Sequence, residues 1–419
     1  MTQRTGVNLH LPTRREMLLG SGALFAWAYA PRLARAEGRD PRLLVVVLRG
    51  GLDGLAMVAP VGDPDWLKLR GDKGLALDGK PPALPLDALF ALNPAMPNLN
   101  RLYRAGQATI VQATATPYRE RSHFDGQDVL ESGYDRPGHM DSGWLNRALA
   151  LLEADGRIDP RGARALAVGP VTPLVLRGPA PVMSWVPQRL LPASEDTQAR
   201  LLDLYLHTDA KLARALQGRR DLLAVGRAGG ISAVIPPEDE RIAGMARLRQ
   251  YFADVAVTAA KYLARPDGPR VGAVGVNGWD THINEGATGG QLANLLGALD
   301  ATVPAFEQNL GDAWKETVVV FITEFGRTAR INGTDGTDHG TGTVAWIVGG
   351  ALKGGRVIAD WPGLKDADLY EGRDLKPTTD LRAVLKGLLK DHLRVDERAL
   401  AATVFPGSED VKPMSGLLG

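Results

Sequence analysis

The sequence predicts an α/β protein with a mainly parallel sheet flanked by helices. Short runs rich in Val and Leu, bounded by glycine and polar residues, indicate strands buried on both faces, as in parallel sheets. Segments with apolar residues at helical spacing separate these runs, and alternating strand, polar loop and helix is typical of α/β folds. Hydrophobic residues make up 44% of the 419-residue chain, which is enough for a large core.

The strands and helices are predicted individually from these patterns. Strands are expected over residues 43–48, 108–113, 270–276, 317–323 and 344–348. Helices are expected over residues 98–105, 124–132, 291–310 and 379–393. Residues 361–376 indicate a surface loop with a short hairpin, and the glycine-rich stretch 349–355 indicates a tight turn rather than a phosphate-binding loop.

One long segment departs from this alternation. Residues 156–237 are rich in Pro and Gly at first, and then polar with a helical pattern over 197–214. We interpret this segment as an insertion that caps the edge of the sheet, not as a separate domain.

The N-terminus indicates a twin-arginine secretion signal over residues 1–36. Arg14 and Arg15 precede an uncharged apolar stretch over residues 17–30, and Ala34 and Ala36 provide the small residues of a cleavage site. The apolar stretch is shorter than the roughly 20 residues of a spanning helix, so no membrane anchor is expected. The sequence therefore predicts export through the twin-arginine translocase to the periplasm or beyond, with residues 37–419 as the mature α/β domain. The alternative is a short amphipathic helix with an accidental Arg pair.

Composition excludes several classes of function. The formal net charge is +1, which gives no indication of a nucleic-acid partner. The chain has no cysteine, which excludes a disulfide scaffold, a Cys nucleophile, an iron–sulfur cluster and Cys-ligated zinc.

Acidic residues and histidines concentrate where predicted strands end. Ligands of open α/β sheets bind outside the carboxyl ends of the strands, so side chains in these loops are expected to converge at one edge. The ligand atoms of a shared metal should then lie within about 5 Å of each other, given bonds near 2 Å. The side chains expected to converge are Asp53, Ser122, Asp280, His282, Glu324 and His339.

The residue types point to a divalent metal. Asp280 and His282 are two positions apart, so in an extended segment both side chains point to the same side. Together with His339 they give a mixed set of imidazole and carboxylate ligands, suited to zinc or manganese, whereas more carboxylates would favour magnesium or calcium. Each piece also has an ordinary interpretation: a capped turn at Asp280, a salt bridge at Glu324, and a simple turn at Asp338.

Ser122 stands before a predicted helix and has two interpretations. It is a good N-cap residue, which needs no further function. A serine at a helix N-terminus is also well placed as a nucleophile that faces an anion, because the helix start favours negative charge.

The order of these motifs resembles the family known as domain of unknown function 1501, which is placed with the alkaline-phosphatase and sulfatase superfamily. The resemblance covers nearly the whole mature chain. Besides the paired arginines, the matching motifs are Arg49-Gly50-Gly51-Leu52-Asp53-Gly54, Arg121-Ser122-His123-Phe124, Trp279-Asp280-Thr281-His282, Thr323-Glu324-Phe325-Gly326-Arg327-Thr328, Asp338-His339-Gly340 and Val404-Phe405-Pro406-Gly407.

The resemblance to the superfamily implies an alkaline-phosphatase-like fold with two metals at the carboxyl edge of the sheet. One metal would be held by Asp280, His282 and His339. The second would be held by Asp53 and by an Asp-His pair whose place is taken here by Glu324 and Phe325. Because Phe325 cannot bind a metal, His123 or Asp338 would have to complete the second site.

The resemblance also implies a function, with Ser122 as the nucleophile or the group that orients a water. Arg327 would contact the substrate anion bidentately. We therefore expect a metal-dependent hydrolase of small phosphate or sulfate esters. The alternative is a non-catalytic protein that uses a degraded site on the same fold to bind a ligand or a partner.

Overall fold

Nine strands form one twisted sheet at the centre of the described part of the chain. The computed structural model describes residues 39–156, 165–169, 171–185 and 244–419, with scattered residues between 201 and 217. Residues 41–419 form one compact unit. The predicted signal over residues 1–36 lies outside the described residues, as does most of the helical pattern over 197–214.

The sheet is mixed but mostly parallel, which confirms the predicted fold class. Its order is β11-β5-β10-β9-β1-β8-β6-β7, with β12 also beside β5, and β10 alone runs antiparallel to its neighbours. These strands are β1 (Arg42–Arg49), β5 (Ala108–Ala115), β6 (Ala165–Val168), β7 (Val182–Trp185), β8 (Val271–Asn277), β9 (Thr317–Thr323), β10 (Thr343–Val348), β11 (Arg356–Ile358) and β12 (Thr379–Asp380). A small antiparallel sheet contains β2 (Val58–Ala59), β3 (Leu84–Pro85) and β4 (Ala91–Leu92).

Helices cover both faces of the sheet. The described helices are α1 (Gly54–Met57), α2 (Trp66–Arg70), α3 (Pro97–Arg104), α4 (His123–Ser132), α5 (Trp144–Ala154), α6 (Gly244–Ala264), α7 (Gln291–Asp300), α8 (Thr302–Leu310), α9 (Leu381–Asp391) and α10 (Glu397–Ala399). No helix among the described residues is long and apolar enough to cross a membrane.

Alternation along β1 places its side chains in two separate cores. Leu44, Val46 and Leu48 pack with α3 and α6–α8, whereas the intervening Leu43 and Val45 pack on the opposite face with α5 and α9. Burial of each such side chain contributes about 1.5–3 kcal/mol. A strand that is apolar at every position is therefore stable only between two helical layers, as the sequence pattern predicts.

Some predicted elements differ from the observed ones, such as the helix expected over 379–393, which begins at Leu381 after β12. The single helix expected over 291–310 is two helices, because Pro304 has no N–H to donate and its ring disfavours a helical carbonyl at Asp300. In the predicted insertion, residues 165–168 and 182–185 form β6 and β7, which extend the sheet at its edge. Strands β6 and β7 of this segment are thus integral to the sheet. Most residues between 186 and 237 lie outside the described ranges.

The topology explains why distant loops meet at one edge. Strands β1, β5, β8 and β9 run in the same direction, so the residues that follow them lie at the same edge. Strand β10 runs the other way, so the residues that precede it also lie there. This edge carries the motifs that the sequence analysis singled out.

Candidate metal centre

Four side chains from three loops converge at the carboxyl edge of the sheet. His123 begins α4 after β5, Asp280 and His282 follow β8, and His339 precedes β10. The Nε2 atom of His339 lies 2.9 Å from Nε2 of His123, 3.0 Å from Nε2 of His282 and 3.2 Å from Oδ1 of Asp280. His123, Asp280 and His339 can each offer a ligand atom to one metal ion, with these atoms within 4.8 Å of one another.

Each imidazole is oriented by an oxygen that faces its Nδ1 atom. The Nδ1 atom of His123 lies 2.8 Å from Oε1 of Glu324, and that of His339 lies 3.0 Å from the main-chain oxygen of Arg121. The Nδ1 atom of His282 lies 3.4 Å from Oδ1 of Asp338. If each Nδ1 carries the proton that these acceptors require, every Nε2 lone pair points into the shared space. Metal-ligating histidines almost always make such an outer hydrogen bond.

Asp280 supplies the carboxylate of this cluster. Its Oδ1 atom lies 3.0 Å from Nε2 of His282, 3.4 Å from Nε2 of His123 and 2.7 Å from a guanidinium nitrogen of Arg327. Burial raises the pKa of Asp280, but the hydrogen bond and charge of Arg327 outweigh this effect and hold the pKa below its ordinary value. The carboxylate therefore stays ionised and available to a cation.

The arrangement fits a divalent ion. An imidazole Nε2 has a single lone pair, so His339 cannot accept hydrogen bonds from both neighbouring imidazoles. Burial and the nearby charge of His123 lower the pKa of His339, whereas the hydrogen bond to Glu324 raises the pKa of His123. Hydrogen bonds between the rings therefore cannot pair every Nε2 atom, whereas a metal ion between the rings could accept their lone pairs. Imidazole nitrogens together with a carboxylate oxygen suit zinc or manganese.

Glu324 and Asp338 were expected to bind a metal directly, but their carboxylates lie behind the histidines of the cluster. Glu324 is fully buried, and its Oε1 atom accepts hydrogen bonds from the Gly50 amide and from Gln127 in addition to facing His123. Asp338 faces the Nδ1 atom of His282 and accepts a hydrogen bond from Asn332. Both carboxylates therefore orient imidazoles rather than enter the converging set.

Asp53 does not join the cluster. It caps α1 by accepting hydrogen bonds from the Leu55 and Ala56 amides, and both of its oxygens are paired with the buried guanidinium of Arg70. A carboxylate occupied in this way has little capacity left for a metal ion. The described residues thus form one cluster where the resemblance to the superfamily implied two, and His123 belongs to that cluster.

Arg327 is buried and faces Asp280 rather than solvent. Its guanidinium donates to Asp280 and to the hydroxyl and carbonyl oxygens of Thr337, and its side chain is fully shielded from solvent. This geometry does not match the expected direct contact with a substrate anion. Arg327 instead fixes the carboxylate of the cluster.

Ser122 is the N-cap of α4. Its Oγ atom accepts a hydrogen bond of 3.5 Å from the Asp125 amide, and its own amide donates to the Tyr118 hydroxyl. This confirms the capping interpretation, and the Ser122 side chain also hydrogen-bonds with the Tyr118 hydroxyl. Among the described residues, no hydrogen bond joins Ser122 Oγ to the cluster.

Phe325 lies against the imidazoles rather than in solvent. Its ring stacks on His123 with centroids 4.8 Å apart and an interplanar angle of 30°, and its centroid lies 5.3 Å from that of His339. A Cβ atom added at Gly51 would lie 2.8 Å from the ring, so a glycine is needed for this close approach. Phe325 supports the rings of the cluster and does not close it.

Most of the chain matches a described protein family. The family described as "Protein of unknown function (DUF1501)" matches residues 40–404. The chain belongs to the DUF1501 family. This confirms the resemblance that the motifs indicated. None of the curated proteins is significantly similar to this DUF1501 chain.

Several solved structures are similar to this DUF1501 chain at low identity. A sulfatase from Pseudoalteromonas sp. is 12% identical with a TM-score of 0.35, over 83% of this chain and 68% of that one. A phosphonate monoester hydrolase of Agrobacterium radiobacter is 13% identical with a TM-score of 0.32, over 85% and 74%. A protein in the alkaline phosphatase superfamily from Vibrio parahaemolyticus is 12% identical with a TM-score of 0.35, over 77% and 63%. For two further similar structures, this chain covers 66% of the length of the other protein, which is just under two thirds.

The sequence analysis gave no structural role to three residues at or near the site of this DUF1501 protein. Arg70 pairs with Asp53, and nothing in its sequence neighbourhood indicates this contact. Asn332 donates to the carbonyl of His282 and to Asp338, and the Asn-Gly pair that it begins signals only a turn. Arg121 has a positive φ of 62°, which is uncommon for a non-glycine residue and accompanies the contact of its carbonyl with His339.

A buried carboxyl group predicts how stability of this DUF1501 protein depends on pH. Glu285 accepts hydrogen bonds from Thr281 and Thr337, and burial raises its pKa to about 8. In the unfolded chain the same group ionises near pH 4.3, so between these values only the folded state holds the proton. Its contribution to stability is therefore present below about pH 4.3 and is lost as pH rises to about 8.

Replacement of Glu285 by Gln should remove this dependence. We expect Glu285→Gln to be more stable than the wild type at pH 8 by a few kcal/mol at most, because a tenfold difference in proton affinity between the folded and unfolded states corresponds to roughly 1.4 kcal/mol. Urea unfolding at pH 5 and pH 8 measures the difference, with the exposed Glu409→Gln as control. Equal pH dependence in the wild type and Glu285→Gln would contradict the prediction.

Proposed function

We propose that this protein is an exported metal-dependent hydrolase of small phosphate or sulfate esters. The observation that carries the proposal is the convergence of three oriented imidazoles on the Asp280 carboxylate. These four side chains are also between 23% and 43% exposed. Structural zinc sites are closed by four protein ligands, whereas catalytic sites keep a position open to water or substrate. A half-exposed cluster therefore supports catalysis.

The cluster would hold one divalent ion through His123, Asp280 and His339, with His282 beside them, which leaves a position open to water or substrate. When bound, such an ion supplies Lewis acidity toward an ester oxygen and lowers the pKa of a coordinated water. Zinc and manganese fit the donor set best, and magnesium or calcium fit less well because imidazoles outnumber carboxylates.

The chain's own residues prepare the site for this chemistry. Glu324 fixes the ring of His123 from a buried position, and Arg327 holds the Asp280 carboxylate. Ser122 caps the N-terminus of α4, where its hydroxyl would orient a water or attack the ester. The N-terminus of α4, which has ten residues, favours the negative charge of the ester.

A substrate panel tests the proposed activity. The purified protein would be loaded separately with zinc and manganese and assayed with p-nitrophenyl phosphate, bis(p-nitrophenyl) phosphate and p-nitrophenyl sulfate. We expect hydrolysis of at least one ester, loss with EDTA and recovery when the metal is restored. His139→Ala is the matched control, because His139 stacks on Tyr134 outside the cluster. Metal binding without turnover of any ester would favour the non-catalytic binding protein.

Export is part of the proposal and has its own test. The paired Arg14 and Arg15, the apolar stretch and the cleavage site support transport by the twin-arginine translocase to the periplasm. A variant with Arg14→Lys and Arg15→Lys should stay in the cytoplasm in a fractionation experiment. Mature protein outside the cytoplasm in that variant would contradict this route.

A further inference from the structure

The Asp53 carboxylate, which the resemblance assigned to a second metal, already has a cation. Its Oδ2 atom lies 2.6 Å from one guanidinium nitrogen of Arg70, and its Oδ1 atom lies 3.2 Å from another. Both side chains are almost fully buried, at 1% and 2% exposure. The carboxylate and the guanidinium therefore form a paired, two-pronged contact away from water.

Two further donors of Arg70 bind main-chain carbonyl groups. Its Nε atom donates to the Ala329 carbonyl at 2.6 Å, and an Nη atom donates to the Thr328 carbonyl at 3.0 Å. Burial lowers the pKa of Arg70, but the charge of Asp53 and the hydrogen bond to it outweigh this, so the guanidinium stays charged. Arg70 thus ties the loop after β1 to the loop after β9, which carries Arg327.

A metal ion at Asp53 would need this pair to break. Removing one partner of a buried ion pair leaves an uncompensated charge, which is strongly unfavourable. Other ligands are lacking as well, since Glu324 Oε1 faces Gly50, Gln127 and His123 and its Oε2 accepts a hydrogen bond from Thr323. Burial also raises the pKa of the nearby Glu285 carboxyl, which disfavours a further negative charge beside Asp53.

We propose that the Arg70 guanidinium permanently fills the role of the second cation, so that the folded protein binds one divalent ion rather than two. The single ion belongs to the cluster around His339, and for this ion the inference rests on the proposed function. Asp53 then has a purely structural role, as the N-cap of α1 and as the counter-ion of Arg70.

Metal stoichiometry tests this inference without an activity assay. The full chain, stripped with chelator and dialysed, would be titrated with zinc and its bound zinc measured by elemental analysis. We expect one tight equivalent in the wild type, none in His339→Ala, and one in the control Asp312→Asn, whose carboxylate is fully exposed. A second tight equivalent in the wild type would overturn the proposal.

Two variants at the ion pair sharpen the test. Arg70→Lys keeps a cation beside Asp53, so the count should stay at one and the zinc affinity should change by no more than about twofold. Asp53→Asn should also keep one equivalent if it folds, whereas loss of an equivalent from a wild-type count of two would identify Asp53 as a ligand. If Asp53→Asn does not fold, the zinc stoichiometry of the wild type and of Arg70→Lys still decides whether the protein binds one ion or two.

The outcomes separate this inference from the proposed function. Two equivalents with metal-dependent hydrolysis intact would overturn the inference alone. If the wild type binds no zinc tightly, the proposed metal centre is wrong, and so is the inference of one bound ion.

Discussion

Replacement of His339 by Ala should abolish tight metal binding and metal-dependent hydrolysis together. The Nε2 atom of His339 lies within 3.2 Å of a ligand atom of each other cluster residue, so its loss removes a ligand atom that all three of them face. Loss of an outer hydrogen-bond partner already costs about 10–100-fold in affinity, so loss of this ligand should cost at least about 100-fold. Zinc titration and the ester panel measure both effects.

Graded variants make this result specific. Glu324→Gln removes the carboxylate behind His123 and should weaken zinc binding by about 10–100-fold, less than His339→Ala does. His139→Ala should bind zinc like the wild type, because His139 lies outside the cluster. Zinc affinity of each protein should also fall with decreasing pH, since protons compete for the imidazoles. Wild-type affinity in His339→Ala would remove the candidate centre.

Gly326→Ala should cause the largest loss of stability among the loop variants. A Cβ atom at this position would lie 1.9 Å from the Gly342 carbonyl oxygen, so main chain rather than a flexible side chain must move. Gly326 also donates to Thr341 and accepts from Gly340, which joins the two arms of the loop between β9 and β10. Overpacking of this kind costs about 1–3 kcal/mol, and here we expect the upper end or more.

The same loop offers a matched control. A Cβ atom at Gly333 would meet nothing within 4 Å, so Gly333→Ala should change the free energy of unfolding by less than about 0.5 kcal/mol. Because the arms of the loop carry Arg327 and His339, Gly326→Ala should also weaken zinc binding. Urea unfolding and zinc titration of both variants measure these effects, and equal stability of the two would show that the loop accommodates a side chain at Gly326.

The sequence was sufficient to predict five of the nine strands of the sheet and the edge at which the site lies. Apolar runs identify β1, β5, β8, β9 and β10 because a strand covered on both faces is mostly apolar. Four of the residues drawn from the loops next to those strands meet in the structure, His123, Asp280, His282 and His339, because parallel strands align their ends. Periodicity gave weaker guidance for 165–185, where short strands lie in a Pro- and Gly-rich segment.

The division of roles among the acidic residues could not be predicted from spacing. Glu324 and Asp338 lie beside cluster residues in the sequence, but whether a carboxylate faces the ion or the back of an imidazole depends on side-chain direction. Asp53 became part of an ion pair because Arg70 reaches it from α2, a contact that follows from loop geometry rather than from a motif. Sequence patterns thus locate a site better than they assign its members.

The separation of the cluster residues along the chain has a consequence for the order of folding. His123 and His339 are 216 positions apart, and they meet only when β5, β8 and β10 have joined the same sheet. An unfolded chain offers at best the neighbouring Asp280 and His282, so loading would follow assembly of the sheet rather than guide it. Interactions absent from the folding transition state slow unfolding without speeding folding. A bound ion would therefore lengthen the lifetime of the native protein while leaving its rate of formation unchanged.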